Sequence, residues 1–160
     1  MRRLSIIGEG IVVGVAGAAA VAIWFLLADL AAGVPFRTPA LLGSALFHGL
    51  RDPSALSVTP TAVVEYTIVH GLVFIAFGVA VAGLFALVDR ERKVLFGVFM
   101  LFCCFEVFFA GAVLILAERL LEEMSLVTIM GANLLAAVVM LSILFRRHHR
   151  AARELLTVGE

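Results

Sequence analysis

Two ionisable residues stand deep inside long apolar stretches of the sequence: His70, some ten residues into one block, and Glu106, near the midpoint of another. A charged side chain at the centre of a hydrocarbon-embedded helix costs roughly 2.5–3.5 kcal/mol on insertion scales, so residues of this kind need partners. An imidazole beside a carboxyl group is the chemistry that shares or relays a proton. Asn133 lies about eight residues into a third block and adds an amide at a comparable depth. Tyr66 is one turn from His70 at i−4, Cys103 is at i−3 from Glu106, and Trp24 reaches a similar depth on the first block. The expectation is an intramembrane polar site of His70, Glu106 and Asn133, with Tyr66 near its outer mouth. Such a site can be a structural His–Glu fastening between helices or a proton-linked, small-ligand site.

Metal chemistry is poorly served by these residues. One deep histidine, one deep carboxylate and no E-x-x-H pair fall short of a di-iron set, and Glu65 and His70 are five apart. A bis-histidine haem b would have to recruit His48 from outside the spans. No cofactor is predicted, and haem b or a metal at His70 is the residual option.

The elements that must position this site follow from composition. Of 160 residues 63% are hydrophobic and 15% charged, which departs from soluble-domain averages in both directions and indicates a membrane protein. Twelve basic residues balance twelve acidic ones, and no basic, aromatic-interleaved surface is available, so nucleic-acid binding is excluded as a reading. The apolar blocks predict spans over about 6–32, 60–88, 94–117 and 125–145, each able to cross a hydrocarbon core of about 30 Å. The first is nearly twice the length of a signal-peptide core and carries Trp24 and Phe25 beyond its alanines, so it is read as a retained span. Short connections at 89–93 and 118–124 make the later spans antiparallel hairpins.

Sidedness follows from the basic residues. Arg2, Arg3, Arg90, Arg92, Lys93, Arg146, Arg147, Arg150 and Arg153 fall on one side, against Arg37, Arg51 and Arg119 on the other, which predicts both termini in the cytoplasm. Arg146, Arg147 and Arg150 in the 146–160 tail are placed to hold anionic lipid at the cytoplasmic face. The external segment 33–59 holds three of the four prolines. Within it, Thr38-Pro39 reads as an N-cap and first helical position, and Leu41, Leu42, Ala45 and Leu46 continue at helical spacing to His48. That helix, at roughly 11 residues, is too short to span and should lie in the interface or re-enter. Glu9, Asp29 and Glu65 sit near span ends, where headgroups or water can solvate them.

Helices in lipid associate through small residues and polar pairs. Gly10, Gly14, Ala18 and Ala22 recur every four residues on the first span, with Gly17 beside them, and form the expected packing stripe. Intramolecular packing is the main reading of that stripe and homodimerisation the alternative. Phe96, Phe99, Phe102, Phe105 and Phe108 are spaced by three, which winds around a 3.6-residue helix, so they are read as bulk. Cys103 and Cys104 are adjacent within the third span, where no loop cysteine can pair with them.

The run Trp24-Phe25-Leu26-Leu27-Ala28-Asp29-Leu30, followed by Pro35-Phe36-Arg37-Thr38-Pro39-Ala40-Leu41-Leu42-Gly43, resembles segments of small uncharacterised four-span bacterial membrane proteins. The resemblance covers the first third of the chain. It implies bacterial origin and brings no activity or site residues. Physically, the same run takes α-helix to the outer interface, where Arg37 can pair with Asp29.

The sequence thus predicts an all-α, integral inner-membrane four-helix bundle with a short external interfacial or re-entrant helix. Two functional classes stay open: a structural or accessory subunit of a membrane complex, and a proton-coupled transporter or haem- or quinone-linked redox carrier acting through His70 and Glu106. A homo-oligomer is the natural form of the second, because four spans enclose little cavity.

Overall fold

A computed structural model of the 160-residue chain describes residues 5–88 and 126–147. Among them every regular element is helical: α1 (Ile6–Ala31), α2 (Arg37–His48), a single 3-10 turn (Pro53–Ala55), α3 (Pro60–Val88) and α4 (Leu126–Arg147). Three of these, α1, α3 and α4, are long and apolar enough to cross a membrane. The expected third span 94–117, with Glu106, Cys103, Cys104 and the phenylalanine row, lies outside the described residues, as does Arg150.

Local signals set the helix ends. Ser5 caps α1, its hydroxyl accepting from Gly8 N–H at 3.2 Å. The other end of α1 closes on Gly33, whose φ of +75° lies in the left-handed region that glycine enters without a Cβ clash. Gly33 N–H donates to Leu30 O at 3.0 Å and Val34 N–H to Asp29 O at 2.9 Å, the paired bonds of a Schellman ending. Gly49, at φ +67°, ends α2 in the same conformation.

α2 begins at Arg37, one residue before the start expected from Thr38-Pro39. Its N-cap is Phe36, at φ +62°, and the Phe36 side chain does not cap the helix. A bulky residue in that region is strained, and the cap it cannot supply comes from α1. Asp29 Oδ2 accepts from Thr38 N–H at 2.8 Å and Asp29 Oδ1 from Thr38 Oγ1 at 2.7 Å. Thr38 is therefore a donor in the first turn and not the cap. Asp29, expected to be solvated at the span end, is buried because it serves α2.

α1 is the central element. α3 and α4 both run antiparallel to it and pack on it, while touching each other little. Toward the N-terminal end of α1, Val13 is buried with Val81, Ala82, Phe85, Met140 and Leu144. Further along, Val21 packs with Ala132 and Ala136, and Phe25 and Phe74 lie against them. α2 packs on the start of α3, where a Cβ on Gly43 would run into the Ala62 backbone.

The glycines of α1 bring backbones together. A Cβ on Gly10 would strike the Val79 backbone, one on Gly14 the backbone of Phe74 and Ile75, and one on Gly17 the Met140 side chain. From the facing helix, a Cβ on Gly78 would strike Gly10 O and Gly14 N. The buried line on α1 is Gly10, Gly14, Gly17 and Val21, whereas Ala18 is half-buried and Ala22 exposed. The expected every-fourth stripe thus leaves the interface after Gly14. A step of four residues overshoots one turn by about 40°, so three such steps rotate about 120° off the face, while alternating steps of four and three hold it.

Outward faces are apolar. Ile7, Leu27, Leu72 and Leu134 are each 60% exposed or more, which suits contact with acyl chains and would be costly against water.

Candidate functional site

The polar side chains of the spans are placed by the helices that carry them. His70 lies at the level of Ala18, and its Nε2 stands 3.3 Å from the Ala18 carbonyl oxygen, across the α1–α3 interface. A carbonyl only accepts, so Nε2 carries the hydrogen and donates. The ring is held on both sides by its own helix: Tyr66 stacks with it at a centroid distance of 5.5 Å and 27°, and Phe74 meets it at 4.7 Å and 48°. Residues 66, 70 and 74 are successive i, i+4 positions, so this aromatic column follows directly from helical geometry.

Asn133 is half-buried on α4, in the turn whose neighbours Ala132 and Ala136 pack on Val21. It thus lies within about a turn of the His70 level, as similar distances from the starts of α3 and α4, both antiparallel to α1, require. The α3 side chain that reaches this α4 cluster is Phe74, while the hydrogen bond of His70 goes to α1. Glu106, the expected third member, lies outside the described residues.

Trp24, expected at the depth of Tyr66 and His70, turns toward α4. Its Nε1–H donates to Thr128 O at 3.0 Å, and its ring covers Gly131, where a Cβ would come within 2.9 Å of Cζ2. The signal for this contact was in the sequence as Gly131 on α4, but only the fold pairs it with a particular ring. Sequence reasoning also missed Gly78, the partner of Gly10 and Gly14.

His48 ends α2 and lies beside α3. Its Nε2 is 2.8 Å from Glu65 Oε2, an ion pair when the imidazole is protonated, with His48 half-exposed and Glu65 a third exposed. His48 Nε2 is thus turned to Glu65, and His70 Nε2 to a backbone carbonyl. Among the described residues no group of three or more His, Cys, Asp or Glu side chains could hold a metal ion.

Between α1, the start of α2 and the first half of α3 is a cavity of about 190 Å³. Val21, Phe25 and Leu26 of α1, Pro39 of α2 and Val63 of α3 form its apolar wall. The α3 wall also carries Tyr66, Thr67 and His70. Thr67 Oγ1 donates to Val63 O at 2.7 Å, and both oxygens of Asp29, at the end of the cavity, are taken by Thr38. Arg146 and Arg147 are exposed in the last turn of α4, where cations complement the helix dipole.

Comparison with known protein families, with curated proteins and with solved structures finds no match. What the fold defines is a class: a small helical protein with three described helices suited to crossing a membrane.

Proposed function

We propose that this is a multi-pass protein of a bacterial inner membrane, with both termini cytoplasmic, that serves as a non-catalytic structural or accessory subunit of a membrane assembly. In this reading 94–117 supplies a fourth span, α2 lies at the outer interface, and the basic end of α4 with Arg150 meets anionic lipid. The observation that carries it is how the polar side chains are spent. Trp24 ties α1 to α4, Asp29 ties α1 to α2, Glu65 and His48 tie α2 to α3, and His70 ties α3 to α1. Each is a fastening between elements, which is how membrane helices lacking a hydrophobic driving force are held. Glu106, on the 94–117 span, extends the same logic toward Asn133.

The test is purification from native membrane in mild detergent. A larger complex of fixed stoichiometry supports the accessory role. If Glu106→Gln and His70→Ala lower stability but leave that complex intact, the polar site is structural. A homo-oligomer with pH-dependent transport, abolished by the same substitutions, would overturn the reading.

One observation favours the second reading, a carrier acting through His70 and Glu106: His70 lines a cavity. Pigment or quinone in the purified protein would support it.

A further inference from the structure

Two residues that line the 190 Å³ cavity, His70 and Tyr66, each keep a polar atom that has no hydrogen bond among the described residues. His70 Nε2–H is given to Ala18 O, so in the neutral ring Nδ1 keeps its lone pair as an acceptor. Among the described residues neither His70 Nδ1 nor the Tyr66 hydroxyl makes a hydrogen bond, and both residues line the cavity. Every other polar side chain on the wall is engaged: Asp29 with Thr38, Thr67 with Val63 O.

We propose that the cavity binds a neutral, hydroxyl-bearing apolar molecule of about one-ring size, of the phenol or hydroquinol type, which enters from the bilayer. A single hydroxyl is the smallest group that can donate to Nδ1 and accept from the Tyr66 O–H at once. A carbonyl could satisfy only the tyrosine. The size follows from volume, since a cavity of about 150 Å³ lined by aliphatic and aromatic side chains accommodates benzene. Charge is disfavoured because the remaining lining is almost entirely apolar and both oxygens of the one carboxylate already accept from Thr38.

The entrance follows from exposure. Ala22 and Ile23 of α1 and Thr67 of α3 border the cavity and are exposed, so it opens sideways between the two helices. At 1.5 Å per residue, His70 is about 15 Å from the start of α3 and Ala22 about 14 Å from the end of α1. This opening lies at the depth of acyl chains in the leaflet nearest α2. The inference needs α1 and α3 to be in a bilayer, and it is independent of the accessory role.

Binding of 4-propylphenol and of propylbenzene to the full chain in nanodiscs tests it, read by ligand-observed NMR with empty nanodiscs as background. The expected result is saturable binding of the phenol, at least tenfold tighter than propylbenzene. Ala22→Phe should abolish it by filling the opening at an already exposed position. His70→Phe keeps the ring stack and removes the acceptor, so it should weaken the phenol about tenfold and leave propylbenzene unchanged. Equal affinity for both probes would refute the role of the polar pair. Absence of saturable binding by protein whose helical circular dichroism is intact would overturn the site. Neither outcome bears on whether the chain belongs to a larger complex.

Discussion

Replacing Gly78 by alanine should loosen the α1–α3 interface although it adds one methyl group to an apolar surface. On Gly78 a Cβ would stand 2.6 Å from Gly14 N and 2.8 Å from Gly14 Cα, and it would also strike Gly10 O. Apolar contact is optimal at about 3.5–4.0 Å, and these neighbours are backbone atoms of a helix, so the helices must separate by roughly 0.7–1 Å. A gap of that size forfeits about a quarter to a half of each contact of about 0.1–0.2 kcal/mol. Taking on the order of 25 atom pairs along the seam, about half the number a buried leucine makes, the loss is roughly 1–2 kcal/mol, within the usual range for overpacking. Gly71, on the same helix, is the control, because nothing stands within 4 Å of its Cβ position. There alanine should be neutral or stabilising by up to about 1 kcal/mol, through helix propensity alone. Equilibrium unfolding by dodecyl sulfate in mixed micelles, followed by circular dichroism, should separate the two variants by about 2 kcal/mol. If Gly78→Ala matches the wild type, or Gly71→Ala loses as much, close glycine contact is not what holds α1 to α3.

Asp29→Ala removes both bonds to Thr38 and uncaps α2, so it should cost about 1–3 kcal/mol, with faster hydrogen exchange confined to the start of α2, and Asp29→Asn should fall between. Trp24→Phe should lose about 1 kcal/mol through the Thr128 bond, and the fluorescence of this single tryptophan should be quenched by lipids brominated near the headgroup more than by those brominated at the chain end. The His48–Glu65 pair is exposed enough that a double-mutant cycle should give a coupling under about 1 kcal/mol.

The length and sequence position of the described spans were legible without the fold, because they rest on runs of apolar residues and on the physics of crossing hydrocarbon. Ile6–Ala31 and Pro60–Val88 fall within a residue of the expected blocks, and α4 extends to Arg147, two residues beyond its expected end. The helix after the first span was legible too, from Thr38-Pro39 and the leucine spacing. Its first residue was not, since Asp29 and not Thr38 supplies the cap, and that bond joins residues nine apart through a turn at Gly33. Sequence also gave the depth of His70 and Asn133, as distance along a helix is residue count times rise.

Azimuth was decided only in three dimensions. Depth says which residues share a layer, but the side of a helix that meets a neighbour depends on which backbones can approach. Gly10, Gly14 and Gly78 fix that for α1 and α3, and their crossing carries His70 to the Ala18 carbonyl. The same rotation turns Trp24 to α4, takes Ala22 off the packing line and leaves Tyr66 and His70 along a cavity. Composition placed the chain in a membrane, because hydrophobic burial needs no partner geometry. The site had to wait for tertiary structure, because a hydrogen bond or a 190 Å³ space exists only once two helices have chosen the faces they share.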